Sequence, residues 1–311
     1  MDQEHDFVMT THVFLPFGCG PRGAGQPPAD ECGGARVPTQ IAGSRRLCPD
    51  ARSRASSTRL PGVVSGRPFM RLNGQDRLEL GFRRPDRPDV YRDRMLLRPL
   101  LPDGVLLASM PPALADPGQL LPPERAQVAH AVEKRQREYA AGRQLFRHLL
   151  ADRAEAAAPL VNDADRVPVW PDGIVGAITH CDTLCAVALA RSADTVGLGI
   201  DVEPARPLPA DIHRLVLREA EYAALSELPT AWHALGATLT FCAKEALYKA
   251  LYPTTREFLD FQQVELRWQG DRFSARVVPA THPAYTSQPL EGRVACDGNH
   301  VAAAVLLARL P

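Results

Sequence analysis

Two of the three lysines in this chain lie five residues apart in one short segment. Lysine and arginine together number 36, but only Lys134, Lys244 and Lys249 are lysines. The last two belong to Phe241-Cys-Ala-Lys-Glu-Ala-Leu-Tyr-Lys249, which also contains Glu245. An ammonium group is a compact point charge that binds phosphate and releases its proton more readily than a guanidinium does. The sequence therefore indicates phosphate chemistry at Lys244 and Lys249.

An acidic pair in Gly199-Ile-Asp-Val-Glu203 supplies metal-binding groups. Asp201 and Glu203 alternate at the end of a predicted strand, so their side chains share one face. Glu245 and Lys249 are spaced i, i+4 and share one face of a predicted helix. If the strand packs on the helix, three carboxylates come together. Mg²⁺ prefers such oxygen ligands, with water and phosphate oxygens completing its coordination shell. An isolated acidic pair would instead favour helix capping and a solvated ion pair.

Two further groups of residues could bind the phosphates of a substrate. Thr179 and His180 end a short apolar strand, where a hydroxyl and a ring N–H could hold a phosphate, although a histidine at a strand end is more often structural. Arg135, Tyr139 and Arg143 form one stripe of a predicted helix. Such a stripe is usually a solvated face, but beside a phosphate site it could hold a nucleotide.

The elements that must position these residues follow from the apolar periodicity. Helical patterns cover residues 122–153 with an interruption near Val132, a pair of helices in 210–226, and a long helix over 231–252 that Pro253 should end. Strand patterns cover residues 104–110, 177–180, 184–189, 195–202, 264–268, 273–278 and 300–307. Helices followed by strands occur twice, which hints at two similar halves that meet near residue 195.

Composition narrows the class of protein. The 311 residues suffice for one large or two modest domains, and the formal net charge of zero provides no global field toward nucleic acid or an anionic membrane. No apolar run approaches the roughly 20 residues of a membrane span, and no secretory signal is recognisable. The seven cysteines contain no C-x-x-C pair, which favours reduced thiols in the cytoplasm over a zinc or redox centre. Residues 1–94 contain half of the 22 glycines and no periodicity, and we expect a disordered extension.

Four motifs, in this order, resemble the 4′-phosphopantetheinyl transferases, and most closely the enterobactin synthetase component D-like (surfactin-type) branch. They are Trp170-Pro-Asp-Gly173, Gly176-Ala-Ile-Thr-His180, Gly199-Ile-Asp-Val-Glu203 and the segment from Phe241 to Ala250. The resemblance runs from Met95 to the C-terminus. It implies an α+β fold of two similar halves related by a pseudo-two-fold axis, residues 95–195 and 196–311, with coenzyme A in the cleft between them and the metal site in the second half.

The resemblance also implies the reaction. The 4′-phosphopantetheine group of coenzyme A would be transferred to a serine hydroxyl of an apo acyl or peptidyl carrier protein, with release of 3′,5′-ADP, in siderophore, polyketide or nonribosomal peptide biosynthesis. Asp201, Glu203 and Glu245 would hold Mg²⁺, and Lys249 would assist the leaving group. The base would be Glu245 or a metal-bound water that Glu203 orients.

Coenzyme A would be bound by residues from both halves. His180 would contact its 3′-phosphate with help from Arg135 and Arg143, and Thr179, Lys244 and Lys249 would face its phosphates. Family members often carry a lysine before the Trp-Pro motif, and here Arg166 could serve with an offset of one residue. Candidates for contact with an acidic carrier protein are three arginines that otherwise read as solvated helix charges: Arg206, Arg214 and Arg218.

Two rival functions are less well supported. A Mg²⁺-dependent nucleotide hydrolase would ordinarily need a phosphate-cradling G-x-x-x-x-G-K-[ST] loop, which the sequence lacks. A non-catalytic carrier-binding module would be expected to lose a metal ligand or the second lysine, and all are present. With both halves of the site in one chain, we expect a cytoplasmic monomer without nucleic-acid or membrane partners.

Overall fold

The computed structural model describes residues 96–151 and 154–310. The predicted N-terminal extension, residues 1–94, lies outside them. The helices of the described part are α1 (Pro122–Gln127), α2 (Glu133–Leu149), α3 (Ala210–Val216), α4 (Glu219–Ala224) and α5 (Gly236–Thr255). Its strands are β1 (Leu106–Met110), β2 (Ile174–His180), β3 (Cys185–Arg191), β4 (Thr195–Pro204), β5 (Val264–Gln269), β6 (Arg272–Val277), β7 (Leu290–Cys296) and β8 (His300–Ala308).

The strands form two antiparallel sheets, each with one long helix on its outer face. The first sheet has the order β1-β3-β2 and the second the order β4-β8-β7-β6-β5. Helix α2 packs on the first sheet, helix α5 packs on the second, and a third apolar cluster lies between the sheets. The result is four layers, and the mixed α+β class predicted from the sequence is confirmed. The boundary between halves at residues 195 and 196 stays a prediction.

Small residues line the contact between the two sheets. Strand β3 points Val187 toward α2, whereas the alternate residues Ala186 and Ala188 face the second sheet. Strand β8 contributes Ala302 and Ala304 to the same layer. Alternation with period two therefore lets each central strand serve two apolar layers.

Two glycines of β4 set the distance between that strand and α5. A Cβ atom at Gly199 would lie 1.8 Å from the carbonyl oxygen of Ala246, and one at Gly197 would lie 2.3 Å from that of Ala250. Both glycines alternate with Asp201 and Glu203, so all four positions face the helix. The bare backbone of the strand thus lets α5 approach closely and present Glu245 and Lys249 to the acidic pair.

Gly199→Ala is expected to destabilise the protein by at least about 3 kcal/mol, because the added methyl group overlaps helix backbone, which cannot move as a side chain can. Equilibrium unfolding in urea measures the loss. Gly104→Ala is the matched control, since a Cβ there meets nothing within 4 Å. Equal effects of the two substitutions would show that close packing of β4 on α5 is not what requires glycine.

Two details differ from the prediction. Helix α5 begins at Gly236, and it continues past Pro253 to Thr255 before the left-handed Arg256 (φ 54°) ends it. Proline removes the N–H that would bond to the carbonyl of Lys249 and crowds that carbonyl, yet the chain keeps its helical conformation for the last turn. Strand β7 is not predicted by its sequence, because Gly292 interrupts the apolar face formed by Leu290 and Val294. Pairing with β6 and β8 on its two sides makes it a strand. The interruption near Val132 is confirmed, because α1 ends at Gln127 and α2 begins at Glu133.

Candidate active site

The three predicted carboxylates lie where β4 packs on α5, close enough for their charges to interact. Asp201 and Glu245 are 3% and 2% exposed, and Glu203 is partly buried at the end of the strand. Burial, followed by the charge of Asp201, raises the pKa of Glu203 to about 9 and that of Glu245 to about 8. Such shifts mean that full ionisation of the site is unfavourable until a positive charge enters.

Lys249 supplies one positive charge to this cluster. Its Nζ atom donates to Asp201 Oδ1 at 2.6 Å. Burial alone would lower the pKa of Lys249, but the charges of Asp201 and Glu245 and this hydrogen bond outweigh burial and raise the pKa. The ammonium group therefore stays protonated beside the carboxylates.

The donor set fits a divalent cation. Asp201 Oδ2 and Glu245 Oε1 are both buried and have no hydrogen-bond partner. Buried acceptors without donors are unfavourable, and hard oxygen atoms are what Mg²⁺ binds. Across residues 96–151 and 154–310, however, no three His, Cys, Asp or Glu side chains already form a metal-binding cluster. The carboxylates interact electrostatically without enclosing a cation, and the metal assignment stays a prediction.

His180 and Arg135 form a second polar group, between β2 and α2. Arg135 Nη1 lies 2.8 Å from His180 Nε2 and 3.3 Å from Glu138 Oε2. Burial, then the charges of Arg135 and Lys249, lowers the pKa of His180 well below its usual 6.5. The imidazole is therefore neutral near pH 7, and its Nε2 accepts from the guanidinium. The side chain of Arg135 is 40% exposed, so this group is accessible from the surface.

Lys244 lies outside this site, and its predicted contact with phosphate is wrong. Its Nζ atom donates to Glu221 Oε2 at 2.7 Å and to the carbonyl oxygens of Val216 at 2.8 Å and Phe261 at 2.9 Å. An ammonium group has three donors, and all three are used. Residues five apart are separated by about 140° around a helix, which is why Lys244 and Lys249 cannot face the same ligand.

Arg143 is buried and bonded within the protein interior, and its predicted contact with the nucleotide stays a prediction. Its Nε donates to the carbonyl of Leu160 at 3.0 Å and its Nη2 donates to Asn162 Oδ1 at 2.6 Å. The guanidinium carbon lies 3.4 Å from the ring centre of Tyr139, and burial lowers the pKa of Arg143 to about 10. Tyr139 is itself buried, with its hydroxyl bound to Gln127. Tyr139 and Arg143 thus secure a neighbouring segment, whereas Arg135, the first residue of the stripe, keeps its side chain partly exposed.

The hydroxyl of Thr179 binds a carboxylate, and its predicted contact with phosphate stays a prediction. Its Oγ1 donates to Asp201 Oδ1 at 3.0 Å and accepts from the backbone N–H of Val202 at 3.1 Å. A hydroxyl has one proton to donate.

Glu138 forms an ion pair with Arg135 and was not predicted from the sequence. Its i, i+3 spacing from Arg135 could have indicated this contact.

The remaining predicted residues lie at the rim or on the surface. Arg166 occupies an exposed turn with a left-handed backbone (φ 61°), and its role stays a prediction. Arg206 is exposed, and its charge acts to lower the pKa of Glu203. Arg214 is exposed on α3, whereas the guanidinium of Arg218 donates to the carbonyl of Gln262.

Comparison with known proteins identifies the class of protein. The model of the 4′-phosphopantetheinyl transferase N-terminal domain matches residues 123–190, and that of the 4′-phosphopantetheinyl transferase superfamily matches residues 197–305. The chain is 40% identical to the 4′-phosphopantetheinyl transferase Svp of Streptomyces mobaraensis over 171 residues, which are 52% of this chain and 68% of Svp.

More distant relatives agree. The 4′-phosphopantetheinyl transferase PptT of Mycobacterium tuberculosis is 31% identical over 228 residues, 66% of this chain and 99% of PptT. The enterobactin synthase component D of Escherichia coli K12 is 34% identical over 147 residues, 45% of this chain and 66% of that protein. The chain therefore belongs to the 4′-phosphopantetheinyl transferase family and is a transferase, as its motifs predicted.

Proposed function

We propose that this chain transfers the 4′-phosphopantetheine group of coenzyme A to a serine of an apo acyl or peptidyl carrier protein and releases 3′,5′-ADP. The observation that carries the proposal is the cluster of Asp201, Glu203 and Glu245 with Lys249, at the motifs that resemble the family. The similarity to an enterobactin synthase component favours siderophore biosynthesis, and polyketide or nonribosomal peptide biosynthesis is what the resemblance of the motifs implies. We also propose that the chain acts as a monomer in the cytoplasm, where the thiols of Cys181, Cys185, Cys242 and Cys296 would stay reduced. Among the described residues, none of the helices could span a membrane.

Asp201, Glu203 and Glu245 would hold Mg²⁺ beside the diphosphate of coenzyme A. Support comes from the two buried carboxylate oxygens without donors, on Asp201 and Glu245, and from the raised pKa values of Glu203 and Glu245. A bound Mg²⁺ withdraws charge from a phosphate under attack and orients it for in-line displacement.

In the transfer, a bond forms between the serine oxygen and the β-phosphorus, and the bond from that phosphorus to the bridging oxygen breaks. Glu245 takes the serine proton; its pKa of about 8 in the empty site and its unpartnered Oε1 suit a base that acts near neutral pH. The alternative base is a water that Glu203 orients. Lys249, held protonated by Asp201, neutralises the charge that develops on the leaving 3′,5′-ADP.

His180 and Arg135 would bind the 3′-phosphate of coenzyme A. The exposed guanidinium of Arg135 is the charged partner, and Glu138 and His180 fix its direction. Arg166 would contribute from its surface turn. The proposal does not place Lys244, Arg143 or Thr179 at this phosphate, because each of them donates a hydrogen bond within the protein.

Incubation with coenzyme A, Mg²⁺ and an apo carrier protein tests the proposal directly. Mass spectrometry should show the carrier gaining one phosphopantetheine group, with none gained in EDTA or by a carrier whose acceptor serine is replaced by alanine. Release of nucleotide without a mass gain would indicate a hydrolase. Carrier binding without any turnover would indicate a non-catalytic module. Either result contradicts the proposal.

Metal-free protein is expected to lose stability as pH rises. The pKa values of Glu203 and Glu245 lie near 9 and 8 in the fold against about 4.5 when unfolded, so the unfolded chain gives up these protons first. Their stabilising contribution is complete below about pH 4.5 and is lost through pH 8–9. Between pH 6 and 9 the melting temperature in EDTA should fall by about 3 °C or more.

Addition of Mg²⁺ should raise the melting temperature more at pH 8.5 than at pH 6, because deprotonated carboxylates bind the cation. Differential scanning fluorimetry in EDTA and in MgCl₂ measures both effects. A Mg²⁺ effect of equal size at the two pH values would contradict the assigned ligands.

Arg214→Glu is expected to raise KM for the carrier roughly fivefold, equivalent to ~1 kcal/mol, because carrier proteins are typically acidic around their serine. Arg214 is a cleaner choice than Arg218, whose guanidinium also binds Gln262. Arg272→Glu, an exposed reversal on β6, is the control. Steady-state kinetics should leave KM for coenzyme A unchanged. An unchanged KM for the carrier in Arg214→Glu would remove α3 from the docking surface.

A further inference from the structure

We propose that Thr179 is a positioning residue for the metal site, whose hydroxyl orients Asp201 so that a single carboxylate oxygen faces the cation. The inference rests on the proposed function of Asp201 as a metal ligand. It assigns Thr179 to the carboxylate cluster. The position of Thr179 next to His180 predicts instead a contact with the phosphates of coenzyme A.

The contact joins the edges of the two sheets. Strand β2 is an edge of the three-stranded sheet and β4 is an edge of the five-stranded sheet, and no ladder links them. Thr179 is 1% exposed on the face of β2 that meets β4. The backbone N–H of Val202 donates to Oγ1 of Thr179 at 3.1 Å. The threonine thus satisfies a buried donor at the sheet edge that no strand ladder satisfies.

The same hydroxyl then determines how Asp201 is held. Having accepted from Val202, Oγ1 donates its one proton to Asp201 Oδ1 at 3.0 Å. Lys249 Nζ donates to that same oxygen at 2.6 Å, whereas Oδ2 is buried and accepts from no described donor. Two donors on Oδ1 prevent the carboxylate from rotating and leave Oδ2 as the oxygen available to a cation.

Side chains that orient a metal ligand affect the affinity for the metal by a known amount. Removal of a side chain that orients a ligand typically weakens metal binding by about 10–100-fold. A hydroxyl that instead held a coenzyme A phosphate would affect KM for coenzyme A and leave the metal affinity alone. The two roles therefore predict different measurements.

Thr179→Val keeps the shape of the side chain and removes both hydrogen bonds, and Thr179→Ser keeps both. Thr240→Val is the matched control, because Thr240 is equally buried but its hydroxyl donates only to the carbonyl of Gly236 within α5. The full chain is titrated with Mn²⁺ in the presence of coenzyme A, with unbound Mn²⁺ measured by electron paramagnetic resonance. The Mg²⁺ dependence of carrier modification and KM for coenzyme A are measured alongside.

Thr179→Val should bind Mn²⁺ at least about tenfold more weakly and need correspondingly more Mg²⁺, while KM for coenzyme A changes less than twofold. Thr179→Ser and Thr240→Val should stay within about threefold of the parent protein in Mn²⁺ affinity. If Thr179→Val does not fold, Thr179→Ala and Thr179→Ser are compared at a temperature where both are folded, and alanine alone should lose affinity.

Three outcomes would overturn the inference. Parental Mn²⁺ affinity in Thr179→Val with a lowered melting temperature would make Thr179 a purely structural residue. A raised KM for coenzyme A with parental Mn²⁺ affinity would return Thr179 to the phosphates. Equal loss in the serine and alanine variants would show that the hydroxyl is not what matters. The Mn²⁺ titration decides these cases even if the parent protein modifies no carrier. Failure of the proposed transfer reaction is therefore distinguishable from failure of the role proposed for Thr179.

Discussion

Glu245→Gln is expected to abolish transfer while the protein keeps its fold. Glutamine matches glutamate in volume but can neither accept the serine proton nor contribute a negative charge to the cation. Loss of a base together with a metal ligand should lower kcat/KM by at least about 10³-fold. Burial and the charge of Asp201 disfavour the ionised form of Glu245, so glutamine avoids that cost, and above about pH 8 metal-free Glu245→Gln should melt no lower than the parent.

Carrier modification followed by mass spectrometry measures the loss, and fluorimetry with and without Mg²⁺ measures the stability. The melting temperature of Glu245→Gln should respond less to Mg²⁺ than that of the parent. Glu219→Gln, on the exposed surface of α4, is the control and should be fully active. Near-parental transfer by Glu245→Gln would refute the role assigned to this carboxylate.

The sequence predicted the carboxylate cluster because both of its parts follow local periodicities. Asp201 and Glu203 alternate on a strand, and Glu245 and Lys249 stand one turn apart on a helix. Gly197 and Gly199, which precede the acidic residues on the same strand, explain why the helix can approach the strand closely. Only the packing of β4 on α5 had to be supplied by the fold.

The contacts that the sequence did not predict involve partners that are distant along the chain. Lys244 was assigned by its residue type, but its position around the helix points it at Glu221. The sequence pattern of α2 predicts a polar face for its arginine stripe. Arg143 instead donates to Leu160 and Asn162, which lie on a loop whose path no periodicity predicts. Thr179 was assigned by its neighbour His180, although successive residues of a strand face opposite sides.

Lys244→Met is expected to cost about 3–5 kcal/mol of stability, the usual effect of removing one partner of a buried ion pair. Glu221 is fully buried and would keep only the backbone donors Arg218 N and Leu266 N, each at 2.7 Å. The carbonyl oxygens of Val216 and Phe261 would lose their donor as well. Urea unfolding measures the change. Lys134→Met is the matched control, because both side chains of the 2.6 Å contact between Lys134 and Asp182 are exposed. This variant should lose less than about 1 kcal/mol of stability.

Activity separates this structural role from the one first predicted for Lys244. At a temperature where Lys244→Met is folded, KM for coenzyme A should match the parent, because the ammonium lies on a different face of α5 from Lys249. The double variant Lys244→Met/Glu221→Gln should regain part of the lost stability, since the charge left without its partner is gone. A selective rise in KM for coenzyme A with little loss of stability would place Lys244 at the phosphates after all.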